Sequence, residues 1–503
     1  MTVILLFVAA LLHAHSLSGW ASGWAAALQC LSLSVLMAYA MQPHRTSKLF
    51  IGAWLFTGTW LFLSFEWIHT SLSQYGGMPA PLAWLAVLLL GFGLAAYHAI
   101  ALCLAKAATR HASAPLQALA LACAWTLAEL ARATWFTGFP WASPGYAHAD
   151  GLLKITAPYI GVMGITAVSA LIAALMANAR LNPQASWLGK GTAHVLLPLA
   201  LVWSPGMKSL GDEALSQTVT LLQANVDPLK KFQDGGQEEA QWYIRQMQTS
   251  AGDLILAPET ALAQLSHRQD FRDTMRQSGV PPAPHQAVIL GTMEQNGEDY
   301  ANAAWGWMGG EVQAYHKQHL VPFGEYTPPA FSWINQWLNI PYSNFREGVG
   351  TSNPFVHRQH VYALGICYED LFGEEMARLF QGRAPRPTAL INLSNLAWFG
   401  NGKALDQHLI IGRMRALELR RPMLMATNTG WSAVIDDTGQ VTGQLPLSQR
   451  ASMTLPYKGV DAPPTAYAQW AGRWGHVPLW GLAVVGLLGM ALVSLRQKSR
   501  LGA

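Results

Sequence analysis

The 503-residue sequence is poor in charged residues and in cysteine. Charged side chains make up 12% of the chain, which is about half of what a soluble enzyme of this length carries. The net charge of +4 is small and scattered, so a nucleic-acid partner is not expected. Internal repeats and low-complexity tracts are also missing. What is abundant is hydrophobic residues, at 51%, and their concentration in long runs predicts a membrane protein.

Eight apolar stretches approach the length of about 20 residues that spans a bilayer as a helix. They cover approximately residues 2–18, 20–41, 49–68, 81–105, 116–136, 156–178, 187–204 and 475–495. The first stretch is short, and a secretory signal peptide is the alternative interpretation of it. The seventh contains Lys190. Glu129 and Arg132 lie three residues apart in the fifth stretch and are expected to pair inside the helical bundle.

Basic residues in alternate connections predict the orientation of these helices. The connections "SLSG" and "EWIHTSLSQYGGMPAP" carry almost none. With eight spans, all basic connections fall on the cytoplasmic side together with both termini, and residues 205–474 lie outside the cytoplasm. The basic connections contain His44, Arg45, Lys48, Lys106, Arg110, His111, Arg180, Lys190, Arg496, Lys498 and Arg500.

The segment between the seventh and eighth stretches has the pattern of a globular α/β domain, predicted over residues 215–460. Short runs rich in β-branched residues indicate strands, and the spacing of apolar residues in 407–421 indicates a helix. Asp-Thr-Gly within 434–446 predicts the turn of a hairpin. The predicted domains are therefore 1–204 with seven helices, 215–460, and 475–495 with the eighth helix. The predicted strands are 217–226, 253–259, 287–293, 360–369 and 388–394.

The four cysteines differ in their surroundings. Cys30, Cys103 and Cys123 lie in predicted membrane helices, where a buried apolar thiol is the expected state. Cys367 is alone in the predicted outer domain, so an intrachain disulfide is not expected there. No CxxC or HxxxH pattern surrounds it, which argues against a zinc site. Cys367 is then either a buried small hydrophobe or a nucleophile.

The residues around Cys367 do not favour a thiolate by themselves. In "GICYEDLFGE" (365–374) three acids, Glu369, Asp370 and Glu374, follow the cysteine within seven residues. Nearby negative charge raises the pKa of a thiol, so a reactive cysteine here needs a base and a cation from elsewhere in the chain.

Two other segments offer such groups. Glu259 ends an apolar run in "LAPET", where a sheet presents side chains at its edge. Lys317 and Glu325 lie eight residues apart in "YHKQHLVPFGEYTP" (315–328), in which Pro322 and Gly324 predict a defined turn. Each has an ordinary alternative, since Glu259 fits a solvated strand-end acid and 315–328 fits a polar surface loop.

Five motifs in order resemble those of the bacterial apolipoprotein N-acyltransferases, integral inner-membrane members of the nitrilase superfamily. They are "APET" (257–260), "YHKQHLVPFGEYTP" (315–328), "CYEDLFGE" (367–374), "NLSNLAWFG" (392–400) and "RMRALELRRPMLMATNTG" (413–430). The resemblance extends over nearly the whole chain. It implies an eight-helix membrane part carrying a nitrilase-like α-β-β-α sandwich domain in the periplasm.

The resemblance also implies a reaction and a catalytic triad. The family transfers a fatty acyl chain from a membrane phospholipid to the N-terminal amine of the diacylglyceryl-cysteine of an apolipoprotein. By position in the motifs, Cys367 would be the nucleophile and Glu259 the base. Lys317, with the backbone N–H of Tyr368, would hold the oxyanion. Glu325 matches a further carboxylate of the family that positions Lys317 or the attacking group.

The remaining site residues follow from the same resemblance. Tyr368 and Glu369 match residues beside the nucleophile; Asn225, Phe232 and Trp398 are candidates for lining the site. Four positions depart from the family pattern: Phe232, His316, Gln318 and Leu396. The aromatic segment 330–345 could form a lid at the membrane interface or pack on its own domain. No cofactor and no metal are expected.

Two other functions stay open on the sequence. A membrane-tethered amidase of the nitrilase type would release its acyl group to water. A transporter or scaffold with an inactive outer domain is a third possibility, although paired interrupted helices, which transporters often contain, are not evident.

Overall fold

The chain folds into two units, one helical and one built around β-sheets. The computed structural model describes residues 2–19, 23–181, 192–228, 236–263, 265–297, 299–328, 345–348, 354–382 and 385–501. The helical unit consists of Met1–His69, Ala80–Gly206 and Trp474–Ala503, and the sheet unit consists of Thr70–Pro79 and Met207–Arg473.

The apolar stretches fold as helices, in which the backbone satisfies its own hydrogen bonds. The helices of this unit are α1 (Thr2–His15), α2 (Ala25–Met41), α3 (Thr46–Ser64), α4 (Ala80–Ala108), α5 (Ala114–Thr134), α6 (Ala157–Leu181), α7 (Leu197–Val202) and the final helix Val477–Leu501. Gly161 interrupts α6 with a positive φ of 65°. A short α-helical turn covers Ile68–Thr70, and short segments of other helix types cover Trp135–Thr137, Pro144–His148, Leu152–Thr156 and Thr192–Leu196.

Four helices in the described part of the chain are long and apolar enough to cross a membrane. A fifth is added if the bent pair Thr46–Ser64 and Ile68–Tyr75 counts as one span. The first two predicted stretches form the shorter apolar helices Val3–His15 and Ala25–Met41. Most of the seventh predicted stretch lies outside the described residues or forms only short helices. The structure therefore supports several apolar helices, and the count of eight stays a prediction.

The predicted pairing of Glu129 with Arg132 is confirmed. Both side chains are buried in the helical unit, and Arg132 Nη2 lies 2.8 Å from Glu129 Oε2. His98 Nε2 lies 2.8 Å from the other carboxylate oxygen of Glu129. The guanidinium also donates to the carbonyl of Trp141 at 2.9 Å. Burial of these charges is tolerated because each has a partner of opposite charge or a hydrogen bond.

The sheet unit contains two six-stranded mixed sheets. One has the order β12-β1-β2-β3-β4-β5 and the other β11-β10-β9-β8-β7-β6. The strands are β1 (Ser216–Gln223), β2 (Leu254–Ala257), β3 (Ala287–Asn296), β4 (Asp299–Met308), β5 (Glu311–His316), β6 (Phe355–His357), β7 (His360–Ile366), β8 (Ala389–Ser394), β9 (Met423–Thr427), β10 (Ala433–Ile435), β11 (Val441–Gln444) and β12 (Ala451–Lys458).

Helices pack on the outer faces of both sheets. A buried apolar cluster contains residues from both sheets, such as Leu256 and Ile391, and forms the core between them. A second cluster joins the first sheet to α8 (Gln237–Thr249) and α9 (Arg268–Ser278). A third joins the second sheet to α10 (Gly373–Arg378), α11 (Lys403–Leu419) and α12 (Ala466–Trp474). Short helical turns cover Ser71–Tyr75, Glu213–Leu215, Cys367–Leu371 and Leu396–Phe399.

Sheet topology determines where the strand ends meet. Strands β1, β2 and β3 run parallel, and β5 has the same direction because β4 is antiparallel to both of its neighbours. In the second sheet β7, β8 and β9 run parallel. The carboxyl ends of parallel strands lie at one edge of a sheet, which is where open α/β sheets present ligand-binding groups. Glu259, Lys317 and Cys367 each follow such an end.

The five predicted strands, the helix predicted within 407–421 and the hairpin within 434–446 are confirmed. Strands β4, β5, β6, β9 and β12 were not predicted. At the hairpin turn the Asp436 N–H donates to the Gln440 carbonyl at 2.8 Å, and Gly439 takes a positive φ of 77°.

Candidate active site

Lys317 is the charged centre of the site. It follows β5 directly, its side chain is 1% exposed, and its backbone N–H donates to the carbonyl of Asn302 at 2.8 Å. Its Nζ lies 2.9 Å from Glu325 Oε2 and 3.5 Å from Glu259 Oε1. Burial alone would lower the pKa of Lys317, but Glu325 and Glu259 outweigh burial and raise that pKa above its ordinary value. The lysine therefore stays an ammonium ion between two carboxylates.

Asn302 joins the two carboxylates. It lies on β4, a strand that the sequence pattern did not reveal, and its side-chain Nδ2 donates to Glu259 Oε1 and to Glu325 Oε1, each at 2.6 Å. Glu325 Oε2 accepts in addition from the backbone N–H of Val321 at 2.8 Å. Both acids are thus held by neutral donors as well as by Lys317, which fixes their side-chain orientations.

Glu259 is fixed by its backbone as well as by its carboxylate. Its Oε2 accepts from the backbone N–H of Asn395 at 2.8 Å, which links the first sheet to the turn after β8. Gly291 on β3 allows the close approach of this segment, since a Cβ at that position would lie 2.4 Å from the Glu259 Cα. A larger residue at position 291 would displace the carboxylate.

Cys367 begins a short helical turn after β7 and adopts a positive φ of 52°. For a non-glycine residue this conformation costs about 1–2 kcal/mol, so the surrounding structure must hold it. The residue is 8% exposed. Burial and the charge of Glu259 raise the pKa of the thiol well above its ordinary value, and Lys317 acts in the opposite direction.

The charge balance bears on one expectation from the sequence. Lys317 was expected to offset the acids near Cys367, and its charge does act to lower the thiol pKa, but the ammonium group is shared by Glu259 and Glu325 and the pKa stays raised. With the pKa of Cys367 raised, the thiol is protonated in the resting site. A nucleophile of this kind needs a base that removes the proton during attack, and Glu259 is the carboxylate whose charge acts most strongly on the thiol.

Glu369 holds two segments of the site together. Its Oε2 accepts from the Tyr315 hydroxyl at 2.8 Å and from the Ile366 backbone N–H at 2.7 Å. Its Oε1 accepts from the backbone N–H groups of Gln318 at 2.7 Å and His319 at 3.1 Å. Burial raises the pKa of this carboxyl, while these donors favour the ionised form. The Glu369 carboxylate therefore links the turn that begins at Cys367 to the loop that follows Lys317.

The other sequence-predicted residues are placed less centrally. The Tyr368 ring is buried beside His319 and Phe372, with ring centroids 5.6 Å and 5.3 Å away. Asn225 is exposed and donates through Nδ2 to the Ser448 carbonyl at 2.9 Å. Trp398 lies in the turn Leu396–Phe399, against the ring of Tyr75 at 5.1 Å. Phe232 and residues 330–344 of the predicted lid lie outside the described residues.

Three departures from the family pattern have structural partners. His316 Nε2 lies 2.9 Å from Glu294 Oε2, so it is tied to β3 rather than to the lysine. Gln318 uses its backbone N–H to hold Glu369. Leu396 is fully buried in the core between the sheets, where an aspartate would lack a solvated environment.

The assembled groups suit nucleophilic chemistry on an acyl carbon. A thiol, a carboxylate and an ammonium group lie at strand ends, and the charges of the carboxylate and the ammonium group act on the thiol. Within the described ranges, no group of three or more His, Cys, Asp or Glu side chains could hold a metal ion. Asn302 and the backbone N–H of Asn395 were missed from the sequence. A polar residue in the apolar run "ANAAWGWM" (301–308) is the signal that could have indicated Asn302.

Comparison with known proteins gives the family. The model described as the apolipoprotein N-acyltransferase N-terminal domain matches residues 6–175, and the carbon-nitrogen hydrolase model matches residues 218–456. Among solved structures, an amidase from Nesterenkonia sp. is 18% identical, covers 54% of this chain and 98% of its own, and has a TM-score of 0.36.

Full-length relatives agree with the two family models. A protein of Verminephrobacter eiseniae named apolipoprotein N-acyltransferase is 40% identical and covers 89% of this chain and 88% of its own. A protein of Ralstonia nicotianae with the same name is 37% identical and covers 95% and 90%. The predicted resemblance is confirmed, and the C-terminal part has the carbon-nitrogen hydrolase fold. The chain belongs to the apolipoprotein N-acyltransferase family.

Proposed function

We propose that this protein transfers a fatty acyl chain from a membrane phospholipid to the N-terminal amine of a diacylated apolipoprotein, through a thioester on Cys367. The observation that carries the proposal is the placement of the Lys317 ammonium between Glu259 and Glu325 at the strand edge that also holds the Cys367 turn. Family membership supports the same reaction.

The first half-reaction moves the acyl group to the enzyme. Glu259 takes the proton from Cys367 Sγ as the sulfur attacks the ester carbonyl carbon of the phospholipid. The carbonyl oxygen becomes an oxyanion, which Lys317 and the Tyr368 backbone N–H stabilise. Collapse of this intermediate breaks the ester C–O bond. The leaving oxygen takes the proton from Glu259, so a lysophospholipid departs and an acyl thioester remains.

In the second half-reaction the apolipoprotein amine is the nucleophile and the sulfur of Cys367 is the leaving group. The neutral N-terminal amine of the apolipoprotein attacks the thioester carbonyl carbon, and Glu259 accepts a proton from the nitrogen. Collapse of the second tetrahedral intermediate breaks the C–S bond, and the sulfur recovers the proton. An amide forms and the free thiol returns. Because the pKa of the thiol is raised, the sulfur carries this proton in the resting enzyme.

The raised thiol pKa also bears on the selectivity of the site. A permanently ionised cysteine reacts with many electrophiles, whereas a protonated one reacts where a base and an oxyanion site act together. Glu259 and Lys317 supply both functions within one connected set of hydrogen bonds through Asn302. We infer that Cys367 takes its acyl group from an ester that is held against Glu259 and Lys317.

The membrane arrangement is part of the proposal. The helices that are long and apolar enough to span a bilayer support a location in the membrane, where a phospholipid donor is available. We propose eight crossings, both termini in the cytoplasm, and a periplasmic catalytic domain over 215–460 in a bacterial inner membrane. Helices over 1–204 and 475–495 would provide the crossings. The alternation of basic connections supports this orientation.

Acyl transfer to the enzyme can be tested by mass. Purified full-length protein in detergent is incubated with a phospholipid of defined acyl chains and without an acceptor, and its intact mass is measured. We expect a mass increase equal to one acyl chain, lost on treatment with hydroxylamine at neutral pH. Cys367→Ala removes the adduct, and Cys123→Ala, a thiol in the helical unit, keeps it.

The acceptor distinguishes transfer from hydrolysis. Addition of a synthetic diacylated lipopeptide with a free N-terminus is expected to remove the adduct and produce a triacylated peptide. Equal release of free fatty acid with and without the lipopeptide would instead indicate an amidase-like hydrolase. Absence of any adduct on active, folded protein would contradict the thioester mechanism.

A further inference from the structure

A buried polar network lies behind Cys367, on the second sheet. Asn392 is on β8 and pairs with Gly365 of β7 in the parallel ladder. Its side-chain Nδ2 donates to the backbone carbonyl of Cys367 at 3.1 Å. The Ser394 hydroxyl donates to Asn392 Oδ1, which orients the amide so that its N–H groups face the cysteine. Asn392 and Ser394 are both fully buried.

His408 extends this network from α11. Its Nε2 lies 3.3 Å from Ser394 Oγ and 3.2 Å from Asp370 Oδ2, and its imidazole also forms a hydrogen bond with the backbone of Cys367. Burial lowers the pKa of His408 to about 4, and burial raises the pKa of Asp370 well above its ordinary value. The His408 imidazole is therefore neutral near pH 7.

The network acts on one peptide group. A trans peptide is planar, so its C=O and the N–H that follows point in opposite directions. The carbonyl of Cys367 and the N–H of Tyr368 belong to the same peptide. Holding the carbonyl from behind therefore sets the direction of the N–H at the front. The positive φ of Cys367 makes this support necessary, because the backbone would otherwise relax to a commoner conformation.

We propose that Asn392 and His408 are positioning residues that aim the Tyr368 N–H at the oxyanion formed during attack by Cys367. The inference rests on the proposed acyl transfer. Neither residue needs to touch the substrate, since each acts through the carbonyl of Cys367. Substitution of Asn392 or His408 should therefore slow those reactions of Cys367 that form an oxyanion. It should leave unchanged the rate of reactions of the same thiol that form none.

Two reactions of Cys367 provide this comparison. Acylation by phospholipid forms a tetrahedral oxyanion, whereas alkylation by iodoacetamide displaces iodide at a saturated carbon and forms none. Both rates are measured on full-length enzyme in detergent, the first by intact mass and the second by mass of the peptide that contains Cys367. The variants are Asn392→Leu, which has similar volume and no donor, and His408→Phe. Gln286→Leu is the matched control, because Gln286 is also a buried amide that donates to backbone carbonyls, those of Ser250 and Gly252.

We expect Asn392→Leu and His408→Phe to slow acylation by about 10- to 100-fold, somewhat less than complete loss of an oxyanion donor. Alkylation of Cys367 should remain at the wild-type rate, and Gln286→Leu should change neither rate. Equal loss of both rates, or loss of neither, would overturn the inference. If Asn392→Leu does not fold, Ser394→Ala removes the hydroxyl that orients Asn392 and contacts His408 but keeps the Asn392 donor, and it should lower acylation alone by a smaller factor.

The same data separate this inference from the proposed function. Wild-type enzyme that alkylates at Cys367 but never forms an acyl adduct would contradict both the thioester mechanism and the inference. Wild-type enzyme that forms the adduct, with variants that do so at the wild-type rate, would contradict the inference alone.

Discussion

At the scale of single residues, the site is a balance of one cation and two anions beside a thiol. Lys317 is held by Glu325 and Glu259, and Asn302 donates to both of these carboxylates. The surplus of negative charge and the burial of Cys367 keep its proton in place. Reactivity must then come from proton removal at the moment of attack, which makes the pH dependence of the thiol a direct measure of the site.

Alkylation of Cys367 should rise steeply with pH. Because burial and Glu259 raise the thiol pKa above the ordinary value of 9.0, the thiolate fraction increases throughout the range below that pH and reaches no plateau. Glu259→Gln removes a negative neighbour and should shift the profile to lower pH, while Lys317→Met should shift it higher. The rate constant for iodoacetamide, followed on the Cys367 peptide, gives the profile. A plateau near neutral pH would show that the thiol is already ionised.

Asn302→Leu should weaken catalysis and stability together. The substitution removes two hydrogen bonds to carboxylates, each worth about 1.5–3 kcal/mol. Glu259 and Glu325 then keep only Lys317 and one backbone N–H each, from Asn395 and Val321, among the contacts described above. We expect acyl-enzyme formation to fall by at least about tenfold, since misplacement of a catalytic group by ~1 Å can cost ~10²-fold. Single-turnover intact-mass kinetics measure the effect. Gln286→Leu is the control, and an unchanged rate in Asn302→Leu would argue against a positioning role.

At the scale of elements, strand ends and the turns that follow them carry the site. The sequence predicted β2, β7 and the polar loop around Lys317, because apolar runs ending in polar residues are visible in one dimension. It did not predict β4, whose run "ANAAWGWM" (301–308) contains three alanines and a glycine and lacks β-branched residues, and so Asn302 was missed. The link from Asn395 to Glu259 joins two sheets and uses a backbone N–H, which no residue pattern encodes.

The charge state of Lys317 shows a second limit of sequence reasoning. The motifs indicated Lys317 as the cation for Cys367, and its place at the end of β5 agrees with a position in the site. The sequence also contained Glu325, but the strength with which each carboxylate interacts with the ammonium group depends on its distance from Lys317 Nζ. That distance is 2.9 Å for Glu325 and 3.5 Å for Glu259. Those distances follow from the fold of two sheets and not from spacing along the chain.

The contacts around Glu294 should make the stability of the sheet unit sensitive to acid. Glu294 on β3 accepts from the Trp305 indole at 2.9 Å, lies 2.9 Å from His316 Nε2 and pairs with Arg268 of α9. Burial would raise the pKa of Glu294, but hydrogen bonds from His316 and Trp305 and the pairing with Arg268 lower it to about 2. A depressed folded-state pKa adds stability above the ordinary value of 4.5, and this stability is lost as pH falls toward about 2.

The variant Glu294→Gln isolates that contribution. Near neutral pH we expect it to unfold at a lower temperature than the wild type, because the ionised carboxylate and its donors are lost. The difference should shrink as pH decreases from about 4.5 toward about 2, where the wild-type carboxyl becomes protonated as well. Thermal unfolding followed by tryptophan fluorescence at several pH values measures it. A difference that is constant with pH would show that the effect is not electrostatic.

At the scale of the whole molecule, apolar helices and a catalytic domain occupy one chain, as the two family models also indicate. Composition alone was sufficient to predict the membrane class. The number of membrane-spanning helices is harder to predict from the sequence, because the first two apolar helices are short and the seventh stretch contains Lys190. Hydropathy measures length and polarity, and it cannot separate a short spanning helix from one that ends inside the bundle.

The proposed orientation can be tested with single cysteines and a membrane-impermeant maleimide. Lys208→Cys, an exposed position near the start of the second segment of the sheet unit, should be labelled in intact spheroplasts. Arg45→Cys, between α2 and α3, should be labelled only after the membrane is permeabilised. The protein without either substitution, treated in parallel, gives the background from native thiols. Labelling of both positions from the outside, or of Arg45→Cys alone, would contradict the orientation with cytoplasmic termini.

The four hydrogen bonds to Glu369 have a consequence for how a lipid could enter. Their donors come from both sheets, with Tyr315, Gln318 and His319 on one side and Ile366 on the other. An ionised carboxylate only accepts, so glutamine in its place would turn an N–H toward another N–H. The Glu369 carboxylate thus links the turn after β7 in one sheet to β5 and the loop after it in the other sheet. In the proposed reaction, an acyl chain would therefore enter the site without separating the turn after β7 from the loop after β5.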